Sequence, residues 1–107
     1  MSTLRLPIKK QWFEMIAWGV KKEEYREIKP YWKARFVTAG LLLPNGSPSG
    51  EGDVIFVNGY DHEAPVLRAR VRISIGRGRP EWGAEPGKVY YRLKILSVLP
   101  ALEEAET

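Results

Sequence analysis

The chain has 107 residues, 44% of them apolar and 28% charged, with no cysteine and a formal net charge of +4. That length supplies one modest core and no separate cofactor domain; the composition excludes a disordered chain, and the lack of cysteine excludes a disulfide framework or cysteine-ligated zinc. No stretch has the apolar run of a signal peptide or a bilayer span, so a soluble cytoplasmic protein is expected, with no cofactor, no metal and no membrane partner.

In chain order, Leu4, Leu6 and Ile8 alternate with Arg5, Pro7 and Lys9, which is the period of a half-buried strand. Pro7 has no N–H to give to a ladder, so this strand belongs at an edge or a bulge. From Lys10 to Trp18 the apolar residues Trp12, Phe13, Ile16 and Ala17 recur at helical spacing, and Gly19 sits where a left-handed C-cap is wanted. Residues 23–28 form a second strand that puts Glu24, Arg26 and Ile28 on one side and Glu23, Tyr25 and Glu27 on the other. Lys29-Pro30 ends it and starts a short helix over 30–36. Trp12, Trp18, Trp32, Phe13 and Phe36 are expected in the core, with one of them lining an opening under the helices.

Residues 38–52 hold Leu41-Leu42-Leu43 and then a loop rich in Pro, Gly and Ser. Val54-Ile55-Phe56-Val57 is an apolar run fitting a strand buried on both faces, and Asn58-Gly59 is a turn signal. Leu67, Ala69, Val71, Ile73 and Ile75 alternate without exception against Arg68, Arg70, Arg72 and Ser74, which gives the clearest strand. A loop over 76–87 contains Arg77, Arg79 and Trp82. The last strand, 89–98, separates Val89, Tyr91, Leu93 and Ile95 from Tyr90, Arg92 and Lys94. About five strands, two short helices in the amino-terminal third and no βαβ rhythm make an α+β domain over 1–100, a small, mostly antiparallel barrel. Residues 101–107 read as an acidic tail that solvates the chain end. Three of the 13 acids (Glu103, Glu104, Glu106) fall there, so the body sets 17 basic residues against 10 acids, a net of +7.

Gly19-Val20-Lys21-Lys22-Glu23-Glu24-Tyr25-Arg26 can be written G-x-K-x-x-E-x-R, and here the chain resembles the ASCH family, small β-barrels of the PUA-like superfamily associated with RNA. The likeness extends from Leu4 to Trp32; beyond Trp32 only the general layout of strands agrees. The resemblance implies a PUA-like barrel with helices over its opening. It also implies activities: some relatives are ribonucleases, and others are amidohydrolases of N4-acylated cytidine that carry a threonine where this chain has Glu24.

Read from the residues, Glu24 and Arg26 lie two apart on one strand face and can pair, with Lys21 at the turn above them. Two cations around one carboxylate suit a phosphate together with a base or ribose. Catalysis by Lys21 with Glu24 needs the lysine pKa brought toward neutrality, which burial favours and Glu24 opposes. Tyr25, on the other face, reads as core. If the two long strands pair antiparallel, Arg68, Arg70 and Arg72 join Tyr90, Arg92 and Lys94 in a basic face that either tracks a phosphate backbone or is simply solvated. Asn58 and Tyr60 are candidates for a polar rim. His62 stands between Asp61 and Glu63 on a loop and reads as a surface residue, not a metal ligand. The expected function is binding of RNA or another nucleic acid, or of a nucleotide or nucleoside; the alternatives are a hydrolase using the same cleft and a module that binds an acidic protein.

Overall fold

The computed structural model describes residues 3–61 and 63–100, so the expectations for His62 and for the tail lie outside the described residues. The elements are β1 (Leu4–Ile8), α1 (Lys10–Ala17), β2 (Glu23–Glu27), α2 (Pro30–Thr38), β3 (Glu51–Asn58), β4 (Val66–Arg77), a one-turn 3-10 helix (Pro80–Trp82) and β5 (Val89–Pro100). The strands form one sheet in the order β1-β3-β4-β5-β2, curled into a half-barrel and joined by two helices. The sheet is mixed, because β1 runs parallel to β3 while the other three pairings are antiparallel. β1 and β2 are the two ends of that order, and Pro7 sits on the edge strand β1, as its missing donor requires. No described helix is long and apolar enough to cross a membrane.

The concave face is the core. Register brings Leu6, Phe56 and Leu67 into one row, and Val54 and Ala69 into the next. Ile73 and Leu93 continue the layer toward β2. Phe13 and Ile16 of α1 and Phe36 of α2 close over it. A bulge lets β5 keep facing inward: Arg70 pairs with Ser97 but Val71 with Ile95, so Leu96 is the extra residue. Strict alternation would have turned Val98 outward; past the bulge it packs against the core.

Two expectations change. Trp18 is 72% exposed, because the helix ends at Ala17 and Trp18 is its C-cap, turned away from the core. Residues 41–49 are better organised than a flexible loop: Leu41 and Leu42 are buried, Leu42 bridges to Pro48, and the Ser49 N–H donates to the Leu41 carbonyl.

The turn after α1 sets where Lys21 and β2 lie. The Gly19 N–H donates to Ile16 O and the Val20 N–H to Met15 O, the two bonds of a Schellman cap, with Gly19 at φ +76°. The Lys21 N–H also donates to Met15 O, and Lys22 O accepts from Ile95 N, which starts β2 beside β5. Replacing Gly19 with alanine puts a Cβ into left-handed backbone, so Gly19→Ala is expected to lower stability by about 1–2 kcal/mol in urea unfolding, with Gly19→Asn losing less.

Candidate functional site

β2 places charge where the sheet would otherwise bury apolar side chains. Glu24 pairs across the sheet with Leu93 and Arg26 with Tyr91, both core residues, so the Glu24 and Arg26 side chains project onto the concave face. Lys21 enters from the turn and is 1% exposed. The Glu24 carboxylate holds both cations: Oε2 lies 2.7 Å from Arg26 Nη2 and Oε1 lies 3.3 Å from Lys21 Nζ. Lys21 Nζ also donates to the Trp82 carbonyl and sits 4.9 Å from the Trp12 ring centroid and 5.0 Å from that of Tyr25. The lysine is therefore surrounded by a carboxylate, a carbonyl and two aromatic faces. Burial lowers its pKa below the usual lysine value, and Arg26 adds to the lowering; Glu24 works in the opposite direction.

Arg26 links the two ends of the sheet. Its Nη2 donates to the Pro7 carbonyl on β1, 3.1 Å away, as well as to Glu24. Its guanidinium lies 4.9 Å from the Trp32 ring centroid, and Trp32 stacks on Phe36. Arg26 Nε is buried and has no hydrogen-bond partner among the described residues.

Tyr25 lies on the convex face, half buried beneath the loop over 78–84. Its hydroxyl donates to Glu23 Oε1 and accepts from the Arg79 N–H. Gly78 makes that cover possible, since a Cβ there would meet Tyr25 Cζ at 2.6 Å and Ala84 Cβ at 2.7 Å. Burial pushes the Tyr25 phenol up to about 12.

A cavity of about 510 Å³ opens at the seam between β1 and β2. Glu24 and Arg26 line it with Trp12, Trp32, Tyr25 and Tyr90, and Asn58 and Tyr60 also border it. Asn58 and Tyr60 thus join the motif in one place, Tyr60 being 91% exposed. Lys21 does not border the cavity; it lies behind, against Trp82. Trp12 and Trp32 both supply walls, where the sequence predicts one aromatic residue of the helices lining an opening and the rest in the core, and Lys9 and Lys10 border the cavity with no signal in the motif.

The arginine row lies elsewhere, on the convex face. β4 and β5 do pair antiparallel, setting Arg72 beside Lys94 and Ser74 beside Arg92. On its other side β4 meets acids of β3. Arg70 is 3.2 Å from Asp53 and 3.5 Å from Glu51, and Arg72 pairs with Glu51. Arg68 shares the face and is exposed. Arg92 is turned inward along the sheet, bonded to Ser74 Oγ and to the Arg77 carbonyl. Tyr90 is buried, its ring 5.5 Å from Tyr25 and its hydroxyl accepting from Glu85 N–H. Tyr90 therefore contributes to the seam cavity rather than to an exposed basic face. Among the described residues no group of carboxylates or imidazoles is placed to hold a metal ion.

Sharing one carboxylate makes the three charges unequal. Glu24→Gln leaves two buried cations uncompensated and is expected to cost about 3–5 kcal/mol in urea unfolding. Lys21→Met leaves the Glu24–Arg26 pair intact and should cost clearly less; equal losses would show that Glu24 is not the common partner. Tyr25 gives a pH prediction. Its folded pKa lies above the unfolded value of about 10, so the stability it contributes is present below that value and is lost as pH rises from about 10 toward 12. Absorbance titration of phenolate should show a late-titrating component that is lost in Tyr25→Phe. Comparison with known proteins finds no matching family model, no matching curated protein and no matching solved structure.

Proposed function

We propose that this chain is a nucleic-acid-binding domain of the ASCH type that takes a single unstacked base or nucleotide of RNA into the seam cavity. The observation that carries the reading is Arg26, a guanidinium that borders an aromatic-walled cavity and whose buried Nε has no hydrogen-bond partner among the described residues. Such a donor costs free energy until an acceptor reaches it. Base carbonyls, ring nitrogens and phosphate oxygens are acceptors, and planar bases suit walls built from Trp12, Trp32, Tyr25 and Tyr90. Lys9, Asn58 and Tyr60 offer further donors around the mouth, and Lys10 shares its ammonium with Glu14. The curled sheet with helices over its concave side is what a PUA-like barrel needs. In this reading the Arg26-to-Pro7 bond stands where a closing ladder would run. Arg68, Arg70, Arg72 and Arg92 are an accessory surface at most, because Arg70 and Arg72 would have to exchange carboxylate partners for phosphate.

One observation favours a second reading, a hydrolase acting at the same cleft. Lys21 is a desolvated amine with a lowered pKa, held against Glu24, which is how a lysine is prepared for proton transfer or for stabilising a phosphorane. Lys21 lies behind Glu24, Trp12 and Tyr25, which do border the cavity, so this chemistry requires that wall to open. Ribonuclease activity then comes before hydrolysis of an acylated cytidine, given Glu24 in place of threonine.

Anisotropy of a labelled random-sequence RNA octamer tests binding. The expected affinity falls with salt by about 0.7 log units per log unit for each phosphate neutralised. Tyr60→Ala, which removes an exposed ring without touching the core, should weaken binding by about 1 kcal/mol or more. Absent or salt-insensitive binding would sink the reading. Mass spectrometry of the octamer after incubation separates the hydrolase: fragments made by the wild type and lost in Lys21→Met would establish it.

A further inference from the structure

A second concavity, of about 570 Å³, runs along the opposite half of β1, lined by Thr3, Leu4, Arg5, Tyr31, Arg35 and Thr38 among others. Among the described residues no acid borders it, and neither Arg5 nor Arg35 forms an ion pair with any of them. Both residues are exposed, Arg5 on the strand and Arg35 on α2, and both line the one groove. Arg35 is braced by the Tyr31 ring, 4.2 Å away. Six other exposed cations, Arg70, Arg72, Arg79, Lys10, Lys29 and Lys88, have carboxylate partners instead. Two guanidiniums left without anions on a groove that also offers the hydroxyls of Thr3 and Thr38 form a site short of one negative charge.

The groove and the seam cavity are neighbours on the same strand. Arg5 precedes Pro7 of the seam cavity by two residues, about 7 Å along β1, a step comparable with the repeat of an extended nucleotide chain. The partition between them is a pair of consecutive α2 residues: Tyr31 lines the groove and Trp32 the cavity, with their rings edge to face at 4.9 Å. An extended strand that drops one base into the cavity must cross this partition, and its adjacent backbone then meets Arg5 and Arg35.

We infer that Arg5 and Arg35 form a phosphate clamp that holds the nucleic-acid backbone next to the base in the seam cavity. The inference rests on the proposed binding of RNA at that cavity and adds that the recognised unit is a strand, not a free nucleotide. A phosphodiester is favoured over an acidic side chain because Arg5 and the cavity lie along one line at nucleotide-like spacing, and because guanidinium forks fit phosphate oxygens from two sides.

The test compares the wild type with the double variant Arg5→Gln, Arg35→Gln, both substitutions being on exposed side chains, with folding checked by circular dichroism. The probes are a labelled random-sequence RNA hexamer and unlabelled ribonucleoside 5′-monophosphates as competitors. The clamp predicts that the double variant binds the hexamer at least about tenfold more weakly, with a salt slope smaller by about 0.7. The inhibition constant of the monophosphates, corrected for the hexamer affinity of each protein, should be the same for the wild type and the double variant. Hexamer affinity and slope equal to wild type would overturn the clamp while leaving the cavity reading in place. A wild type that binds no hexamer overturns both. Tighter binding of a labelled oligoglutamate than of the hexamer, lost in the double variant, would reassign the groove to an acidic protein.

Discussion

The Glu24 carboxylate is the interaction on which this structure depends. It sits on the concave face of an edge strand, opposite Leu93, where the sheet would normally bury a hydrocarbon. Two cations meet it from different directions, Lys21 from the turn after α1 and Arg26 from the same strand. A buried ion pair seldom adds stability over a well-packed apolar alternative, so a cluster in this position is better explained by what it organises. It fixes the approach of α1 through Lys21 and Trp12, the position of the 3-10 turn through the Trp82 carbonyl, and the meeting of β1 and β2 through Arg26.

That last link explains why β1 carries a proline. In a strand, a residue's N–H and C=O point to the same side, and the Pro7 carbonyl faces the seam, where Arg26 takes it. An ordinary residue there would present an N–H to the seam as well, with only cationic Arg26 to meet it. Proline removes that donor and keeps the acceptor. A side chain thus spans the two free edges of the sheet beside a cavity that the same residue borders, its Nε without a hydrogen-bond partner among the described residues. An edge that is bridged at one point and open next to it is suited to admitting a small planar group and unsuited to pairing with another strand.

Much of this is legible in the sequence because local signals and tertiary demands agree. The alternation from Leu67 to Ile73, the helical spacing of Phe13 and Ile16, and Gly19 as a cap each depend on neighbours within a turn or two, and each appears where the pattern puts it, although Ile75 at the end of the run is exposed. The motif is visible for the opposite reason: charge on a strand face conflicts with burial, and such conflicts mark sites. Trp18 departs from its pattern because its spacing matches the core face while the helix ends one residue earlier. The parallel β1–β3 pairing, the bulge at Leu96 and the carbonyl of Trp82 beside Lys21 all involve partners far apart in the chain. Periodicity does not encode them. Trp12 and Trp32 show the same limit, since apolar spacing gives the buried side of a helix but not whether that side meets a core or a cavity.

The arginine strand makes the corresponding point for charge. Arg68, Arg70 and Arg72 form the densest basic pattern in the sequence, yet Arg70 and Arg72 face Glu51 and Asp53 across the β3–β4 register. Those acids are some twenty residues away in the chain, and only the antiparallel pairing aligns them. Composition therefore overstates the field on the convex face, whereas Lys9 beside the seam cavity and Arg5 and Arg35 beside the second groove lack carboxylate partners among the described residues. Attraction for a polyanion depends on charge that is not already neutralised at contact distance, because paired charges cancel within a Debye length of about 10 Å. Arginine density along β4 therefore does not by itself locate the positive potential a ligand would meet, and part of the unneutralised charge lies along β1, at Arg5 and Lys9.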